Sequence, residues 1–161
     1  MNHVPTIYVD ADACPGTVKS ILFRTAKRLE MKTVLVANGG MRIPNSPFID
    51  SIIVPHGADA ADHRIVELAR SGDLVITDDI PLAARVVAKG ATAIGFRGQL
   101  FDDATVHSKL ATRNLMDHLR SAGMETKGPK PLDSKAIQAF ANLLDRTVTR
   151  MRKQQDQIKD D

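Results

Sequence analysis

Short runs rich in valine and isoleucine alternate with longer stretches in which apolar residues recur at helical spacing. This alternation constrains the fold strongly, because parallel strands need a long crossover between them, usually a helix. We therefore predict an α/β fold of three layers, α/β/α, whose sheet is mainly parallel and has about five strands. The predicted strands cover residues 6–10, 33–37, 51–54, 73–77 and 92–96.

Helices are predicted between these strands and after the last of them. The segment 123–133 contains two glycines and two prolines and is predicted to be a connector. We predict a single domain over residues 1–152, followed by a disordered polar tail over 153–161. The predicted helices cover residues 15–29, 60–70, 81–89, 105–121 and 133–152.

The last predicted helix has an apolar stripe that must be covered. We expect this stripe to pack on its own domain or on a second copy of the chain. The second alternative would make the protein a homo-oligomer. The apolar positions of the stripe are Ile137, Phe140, Leu144, Val148 and Met151.

Composition narrows the class of protein. The 161 residues are 43% hydrophobic, and no apolar stretch approaches the roughly 20 residues that cross a bilayer, so no membrane partner is expected. The first residues lack the layout of a secretory signal, which favours the cytoplasm.

A single cysteine, Cys14, excludes an internal disulfide and a thiolate zinc site. The net charge of +3 permits nucleic-acid binding, and with so few aromatic residues such binding should run through phosphates.

Acidic residues gather where the predicted strands end. In a parallel sheet with right-handed crossovers the carboxyl ends of the strands share one edge, and ligands bind in the crevice there. Two acids end the first strand, two end the fourth, and two open the helix after the third. These residues are Asp10 and Asp12, Asp78 and Asp79, and Asp59 and Asp62.

Such a cluster predicts a bound cation. Side chains of a strand alternate, so Asp10 and Asp12 are expected to point to the same side. Two carboxylates about 4 Å apart repel by roughly 4 kcal/mol at an effective dielectric near 20. Several carboxylates are therefore expected to share a metal, and oxygen ligands favour Mg²⁺ or Mn²⁺.

Helix capping is the competing interpretation for some of these acids. Asp59 and Asp79 each precede a predicted helix, and capping and function are equally good accounts of them. Asp12 is a candidate cap for the first helix. Asp62 shares an inward stripe with apolar residues, and Asp10 belongs to an apolar strand, so neither has an obvious structural task.

Other site types are less well supported. His56, Asp59 and His63 suggest a zinc site, but His63 lies off the inward stripe and is expected at the surface. A helix N-terminus would lower the pKa of Cys14, yet no His and Asn partners are evident, so a packed thiol is expected. No Walker loop and no GxGxxG motif follows the first strand, which leaves nucleotide-triphosphate and dinucleotide binding unsupported.

The motifs taken together resemble a known family over nearly the whole chain. In order they are "VDADACP", "VANGG", "NSPFI", "GADAAD", "VITDDIPLA", "GFRG" and "AFANLLD". They are similar to those of the YaiI/YqxD family of small bacterial proteins, which is itself similar to the PIN-like domains, a superfamily of metal-dependent nucleases. The resemblance implies a three-layer fold with a divalent-metal site at the carboxyl ends of the strands. Position by position, it implies Asp10, Asp62 with Asp59 beside it, and Asp79 in preference to Asp78. Asp12 departs from the pattern of the PIN-like domains. It would be either an extra metal ligand or a neighbour of the ligands.

The implied activity is metal-assisted hydrolysis of phosphodiesters, with RNA favoured as substrate. Asp10, Asp62 and Asp79 would be the catalytic residues and would hold one or two Mg²⁺ or Mn²⁺ ions. Basic and polar residues in loops after strands are expected to meet the phosphate, although a solvated side chain is the alternative for the arginines. These substrate-binding candidates are Asn38, Arg42 and Arg97.

Two other functions stay open. The stretch "IYVDADAC" also resembles the first motif of haloacid-dehalogenase-like phosphatases, in which Asp10 would be the nucleophile and Asp12 the general acid. Cys14 and the lack of a Ser or Thr at the end of the second strand depart from that pattern. The other alternative is a non-catalytic module that binds RNA or a protein.

Overall fold

The computed structural model describes residues 3–57, 59–126 and 131–160, with side chains through position 157. It contains a six-stranded sheet with strand order β3-β2-β1-β4-β5-β6. The strands are β1 Ile7–Asp10, β2 Thr33–Ala37, β3 Ile49–Ile53, β4 Leu74–Ile76, β5 Thr92–Ile94 and β6 Leu100–Phe101. The helices are α1 Gly16–Leu29, α2 Ala60–Leu68, α3 Ile80–Ala88, α4 Val106–Ser121 and α5 Ser134–Asp160.

The predicted α/β class is confirmed, since all strand pairs except one are parallel. The exception is β6, which pairs antiparallel with β5 and was not predicted. β6 has only two residues, which are too few to show any periodicity in the sequence. A four-residue turn that includes Gly98, at φ +79°, reverses the chain so that β6 runs beside β5. β3 begins at Ile49, two residues before the prediction, because Thr33 donates its backbone N–H to the carbonyl of Phe48 at 2.7 Å.

Two layers of helices cover the sheet and produce two hydrophobic clusters. Side chains alternate along β1, so that Ile7 and Val9 pack with α1 and α5 while Tyr8 packs with α2 and α3. The three-layer arrangement follows from this alternation, and β1 has a buried residue at all four positions. No described helix is both long enough and apolar enough to cross a membrane.

The order of the strands creates a switch point beside β1. From β1 the chain moves outward through β2 to β3, and it then returns to place β4 on the other side of β1. The connections after β1 and β4 thus leave in opposite directions along the sheet, which opens a crevice at the carboxyl ends of these two strands. The acidic residues after β1 and β4 lie at this crevice.

α5 packs on its own domain. Phe140, Leu144 and Val148 are fully buried and join the cluster that α1 and the sheet form. The helix continues to Asp160, beyond the predicted end at residue 152, so residues 153–160 of the predicted disordered tail are helical here. Lysines, glutamines and aspartates fill this stretch without a Pro or Gly to end the helix. Position 161, and residues 127–130 of the predicted connector, lie outside the described residues.

Candidate active site

Asp10 lies at the end of β1, on the sheet face that α2 and α3 cover. It is only 9% exposed, and its Oδ2 accepts a hydrogen bond from the Thr77 hydroxyl at 2.9 Å. Thr77 follows β4 and is fully buried. Its hydroxyl also accepts the backbone N–H of Asp79 at 3.0 Å. One threonine therefore connects the ends of the two strands at the switch point.

Asp79 has two tasks. Its Oδ1 accepts the backbone N–H of Leu82 at 3.0 Å, which confirms the predicted N-cap of α3. Its carboxyl group also lies close to that of Asp62, which is in the first turn of α2. Two neighbouring carboxylates repel each other, and this repulsion favours the protonated form of Asp62.

Burial and neighbouring acids raise the pKa values of Asp62 and Asp10. Burial, followed by the charges of Asp79 and Asp10, raises the pKa of Asp62 from 3.8 to about 6. Burial is also the largest cause of the raised pKa of Asp10, and the charges of Asp79, Asp12 and Asp78 add to it against the Thr77 hydrogen bond. Asp10, Asp62 and Asp79 thus form a mutually repelling group, as the sequence predicted for acids at one edge of a sheet.

Asp78 turns away from this group although it is the neighbour of Asp79. Its Oδ1 accepts the backbone N–H of Phe96 at 2.7 Å, and its Oδ2 accepts from the Arg97 Nη1 at 3.2 Å. Gly95 makes room for it, since a Cβ at that position would lie 2.9 Å from Asp78 Oδ1. Asp78 therefore ties the end of β4 to the loop after β5, while Asp79 faces Asp62.

Asp12 does not pair with Asp10 in the way the strand period predicts. β1 ends at Asp10, and the exposed Asp12 accepts the backbone N–H of Asn38 at 2.9 Å, on the β2 side of the site. The N-cap of α1 is Pro15, without a side-chain hydrogen bond, so Asp12 as a helix cap is wrong. The side-chain oxygen of Asn38 is buried and has no hydrogen-bond partner among the described residues.

A cleft of about 230 Å³ opens beside the acids. Asp59 contributes to it from the N-cap position of α2, where its backbone has φ +61° and its side chain makes no capping hydrogen bond. Two arginines that the sequence motifs do not indicate also line the cleft. The lining residues are Asp59, Asp62, Asp79, Pro81, Leu82, Arg85 and Arg113.

The predicted basic residues lie elsewhere. Arg97 makes an ion pair with Asp78, and neither it nor the exposed Arg42 belongs to the lining of the cleft. A sequence signal existed for Arg85, which lies less than two helical turns after Asp79 on the same helix. No such signal existed for Arg113, because only the packing of α4 against α3 brings it to the cleft.

The remaining candidates have structural surroundings. His63 is exposed, as expected, and its Nδ1 lies 3.3 Å from the Arg85 Nη2. Cys14 is 7% exposed, and burial raises the pKa of its thiol to about 12, which confirms a packed thiol rather than a reactive thiolate.

The donor chemistry at the switch point fits a hard divalent cation. Among the residues that the structure describes, no group of three or more His, Cys, Asp or Glu side chains is arranged to hold a metal ion. Mg²⁺, however, is usually held by only one or two carboxylates, with waters and substrate phosphates completing its coordination. The neighbouring carboxyl groups of Asp62 and Asp79 supply two such ligands, and a cation between them would relieve their repulsion.

Comparison with known proteins identifies the family. A family model described as "Uncharacterized BCR, YaiI/YqxD family" matches residues 8–150. The chain belongs to the YaiI/YqxD family. A "UPF0178 protein" of Burkholderia ambifaria is 54% identical over 144 residues, which are 89% of this chain and 96% of that protein. A "UPF0178 protein" of Maridesulfovibrio salexigens is also 54% identical, over 89% of this chain and 95% of its own length.

Membership of the YaiI/YqxD family confirms the resemblance seen in the motifs, and the family is described as uncharacterized. No solved structure matches the chain. The relation to the PIN-like domains and the metal-dependent chemistry that it implies therefore remain predictions, which rest on the geometry of the site.

Proposed function

We propose that this YaiI/YqxD-family protein is a divalent-metal-dependent nuclease that hydrolyses phosphodiester bonds, with single-stranded RNA as the favoured substrate. The observation that carries the proposal is the meeting of Asp10, Asp62 and Asp79 at the switch point between β1 and β4. Clefts at such points are the usual ligand sites of open α/β sheets. Paired carboxylates in a cleft of this kind suit a metal-held phosphate.

Asp62 and Asp79 would hold the metal, and the negative charge of the neighbouring Asp10 would strengthen the attraction for it. A bound Mg²⁺ or Mn²⁺ ion would lower the pKa of a water molecule and offset the charge that develops on the phosphate. The protein supplies the orientation for this chemistry. Thr77 fixes one oxygen of Asp10, and the cap on α3 fixes one oxygen of Asp79, which orients the second oxygen of each carboxylate for contact with a cation.

The burial of Asp10 favours the nuclease over the phosphatase. A nucleophile that forms an aspartyl phosphate must reach the phosphorus atom, whereas Asp10 is 9% exposed and hydrogen-bonded to Thr77. A carboxylate in this position is better suited to support neighbouring ligands. RNA is favoured over small esters because the basic chain, with a net charge of +3, suits a polyanion.

The test is cleavage of a labelled single-stranded RNA with Mg²⁺ or Mn²⁺ present. The wild-type protein should cleave it, while Asp10→Asn and Asp79→Asn should each slow cleavage about a hundredfold or more, since each removes charge from the metal site. Asp50→Asn is the matched control, because Asp50 is an exposed aspartate on the edge strand β3. Cleavage that survives in both site variants would contradict the proposal.

A small phosphate ester, assayed in parallel, separates the rival activity. Hydrolysis of the ester alone, together with an aspartyl adduct trapped on Asp10, would replace the nuclease by the phosphatase. Binding of RNA without cleavage of either substrate would replace it by a non-catalytic module.

A further inference from the structure

The cleft beside the acids is lined by side chains of opposite charge. Asp62 and Asp79 line it from the beginnings of α2 and α3, and Arg85 and Arg113 line it from α3 and α4. We propose that Arg85 and Arg113 bind a phosphate of the nucleic-acid substrate and are the main substrate-binding residues of this site. This inference rests on the proposed nuclease function and deepens it, since it assigns the recognition of substrate to residues that the sequence motifs do not indicate.

The acids and the arginines of the cleft are not paired with each other. Among the described residues, no ion pair joins either arginine to an acid of the cleft. Arg85 instead contacts His63 Nδ1 at 3.3 Å. A guanidinium group has only donors, so the imidazole nitrogen accepts this hydrogen bond, and the contact places no carboxylate on Arg85. Opposite charges that share a cleft without pairing leave both available to a ligand.

Arg113 is held only by weak surface contacts. Its Nη1 lies 3.2 Å from Asp117 on the next turn of α4 and 3.2 Å from Asn114 Oδ1. Exposed ion pairs four residues apart on a helix stabilise by only about 0.3–0.5 kcal/mol. A phosphate that offers two oxygens to the guanidinium forms a stronger, bidentate contact, so the pair with Asp117 can exchange for substrate.

A metal-bound phosphodiester has charges complementary to those of this cleft. Its cation would lie beside the carboxylates, and its phosphate oxygens would then be available to the two arginines that line the same cleft. Arg97 is a poorer candidate, because its ion pair with Asp78 helps to hold the loop after β5. We therefore place the substrate contact on helices α3 and α4, and not in the loops after the strands, where the sequence predicted it.

Recognition of this kind reads the backbone of the nucleic acid and not its bases. Among the described residues that line the cleft there is no aromatic side chain on which a base could stack. Binding should therefore depend strongly on salt and weakly on sequence.

The test is the binding of a fluorescein-labelled single-stranded RNA, followed by anisotropy over a series of salt concentrations. Ca²⁺ replaces Mg²⁺, because its looser coordination disfavours the chemical step. Arg85→Gln and Arg113→Gln should each weaken binding about tenfold, and each should reduce the slope of log affinity against log salt by roughly 0.7. Arg150→Gln is the control, since Arg150 is an exposed arginine that lines a separate cavity with Gly72 and Gly90, at the opposite edge of the sheet.

The outcomes separate the two proposals. Wild-type binding and cleavage with unchanged affinity and salt slope in both arginine variants would overturn the role of Arg85 and Arg113 and leave the nuclease intact. A wild-type protein that neither binds nor cleaves RNA would overturn both proposals. Melting temperatures close to that of the wild type would show that the variants are folded, as expected for exposed side chains.

Discussion

Thr77 determines the geometry of the site at the scale of single residues. Its hydroxyl donates to Asp10 and accepts from the backbone of Asp79, so one buried group sets the positions of two acids. The sequence predicted that these acids meet, because the carboxyl ends of parallel strands share an edge. It did not reveal the part played by Thr77, and it could not separate Asp78 from Asp79 by physical argument, since adjacent residues after a strand differ only in the partners that tertiary structure brings to them.

Replacing Thr77 by valine tests this role. Thr77→Val keeps the volume of the side chain but leaves the N–H of Asp79 and one oxygen of Asp10 without their partner. The unfolding free energy should fall by about 1–3 kcal/mol, measured by chemical denaturation. Thr77→Ser retains the hydroxyl and should preserve metal binding. Equal loss of metal binding in both variants would argue against the hydroxyl as the organising group.

The repulsion at Asp62 predicts an unusual dependence of stability on pH. Its pKa is raised to about 6, so between about pH 4 and pH 6 the folded protein holds more protons than the unfolded chain. Without divalent metal, the unfolding free energy should therefore fall as the pH rises through this window.

Asp62→Asn removes this titration and should make the protein more stable than the wild type at neutral pH. Because Asp62 is partly solvent-screened, the gain should be about 1 kcal/mol. In this variant the raised pKa of Asp10 should leave a smaller slope of the unfolding free energy against pH, of the same sign. Denaturation curves at several pH values provide the measurement, and a wild-type stability that rises through the window would refute the coupling.

At the scale of secondary-structure elements, long periodic segments were predictable and short or tertiary features were not. All five helices and the five parallel strands were predicted to within a few residues, except for the end of α5. β6 depends on the turn at Gly98, which lies against Ala139 of α5, and a local sequence pattern reveals neither the turn nor this contact. The position of Arg113 at the cleft was unpredictable for a similar reason, because the contact between α4 and α3 places it there.

Gly98 offers a test at this scale. It has φ +79°, and a Cβ there would lie 2.6 Å from the backbone carbon of Ala139 in α5. Gly98→Ala should lower the unfolding free energy by about 3 kcal/mol, because it combines a disfavoured backbone conformation with a clash against helix backbone. Gly72→Ala is the control, with φ +90° but open space around it, and should cost only about 1–2 kcal/mol. Similar losses in the two variants would mean that α5 moves to accommodate the methyl group.

At the scale of the whole molecule, the strand order explains why the site lies where it does. The chain places β1 and β4 side by side only after running outward to β3 and back, and this return brings Asp62 and Asp79 to the end of β1. The two helical layers bury the sheet on both faces, so its carboxyl edge is the place where polar groups from separate segments can converge. Fold and site are thus consequences of one topology.

Anomalous diffraction from crystals soaked in Mn²⁺ tests the central claim most directly, because it locates the cation among the acids. The account predicts a peak in contact with the carboxylates of Asp62 and Asp79 and close to Asp10, and its absence from crystals of Asp79→Asn. Fully occupied Mn²⁺ sites elsewhere on the protein, with none between α2 and α3, would contradict a metal-dependent site at the switch point.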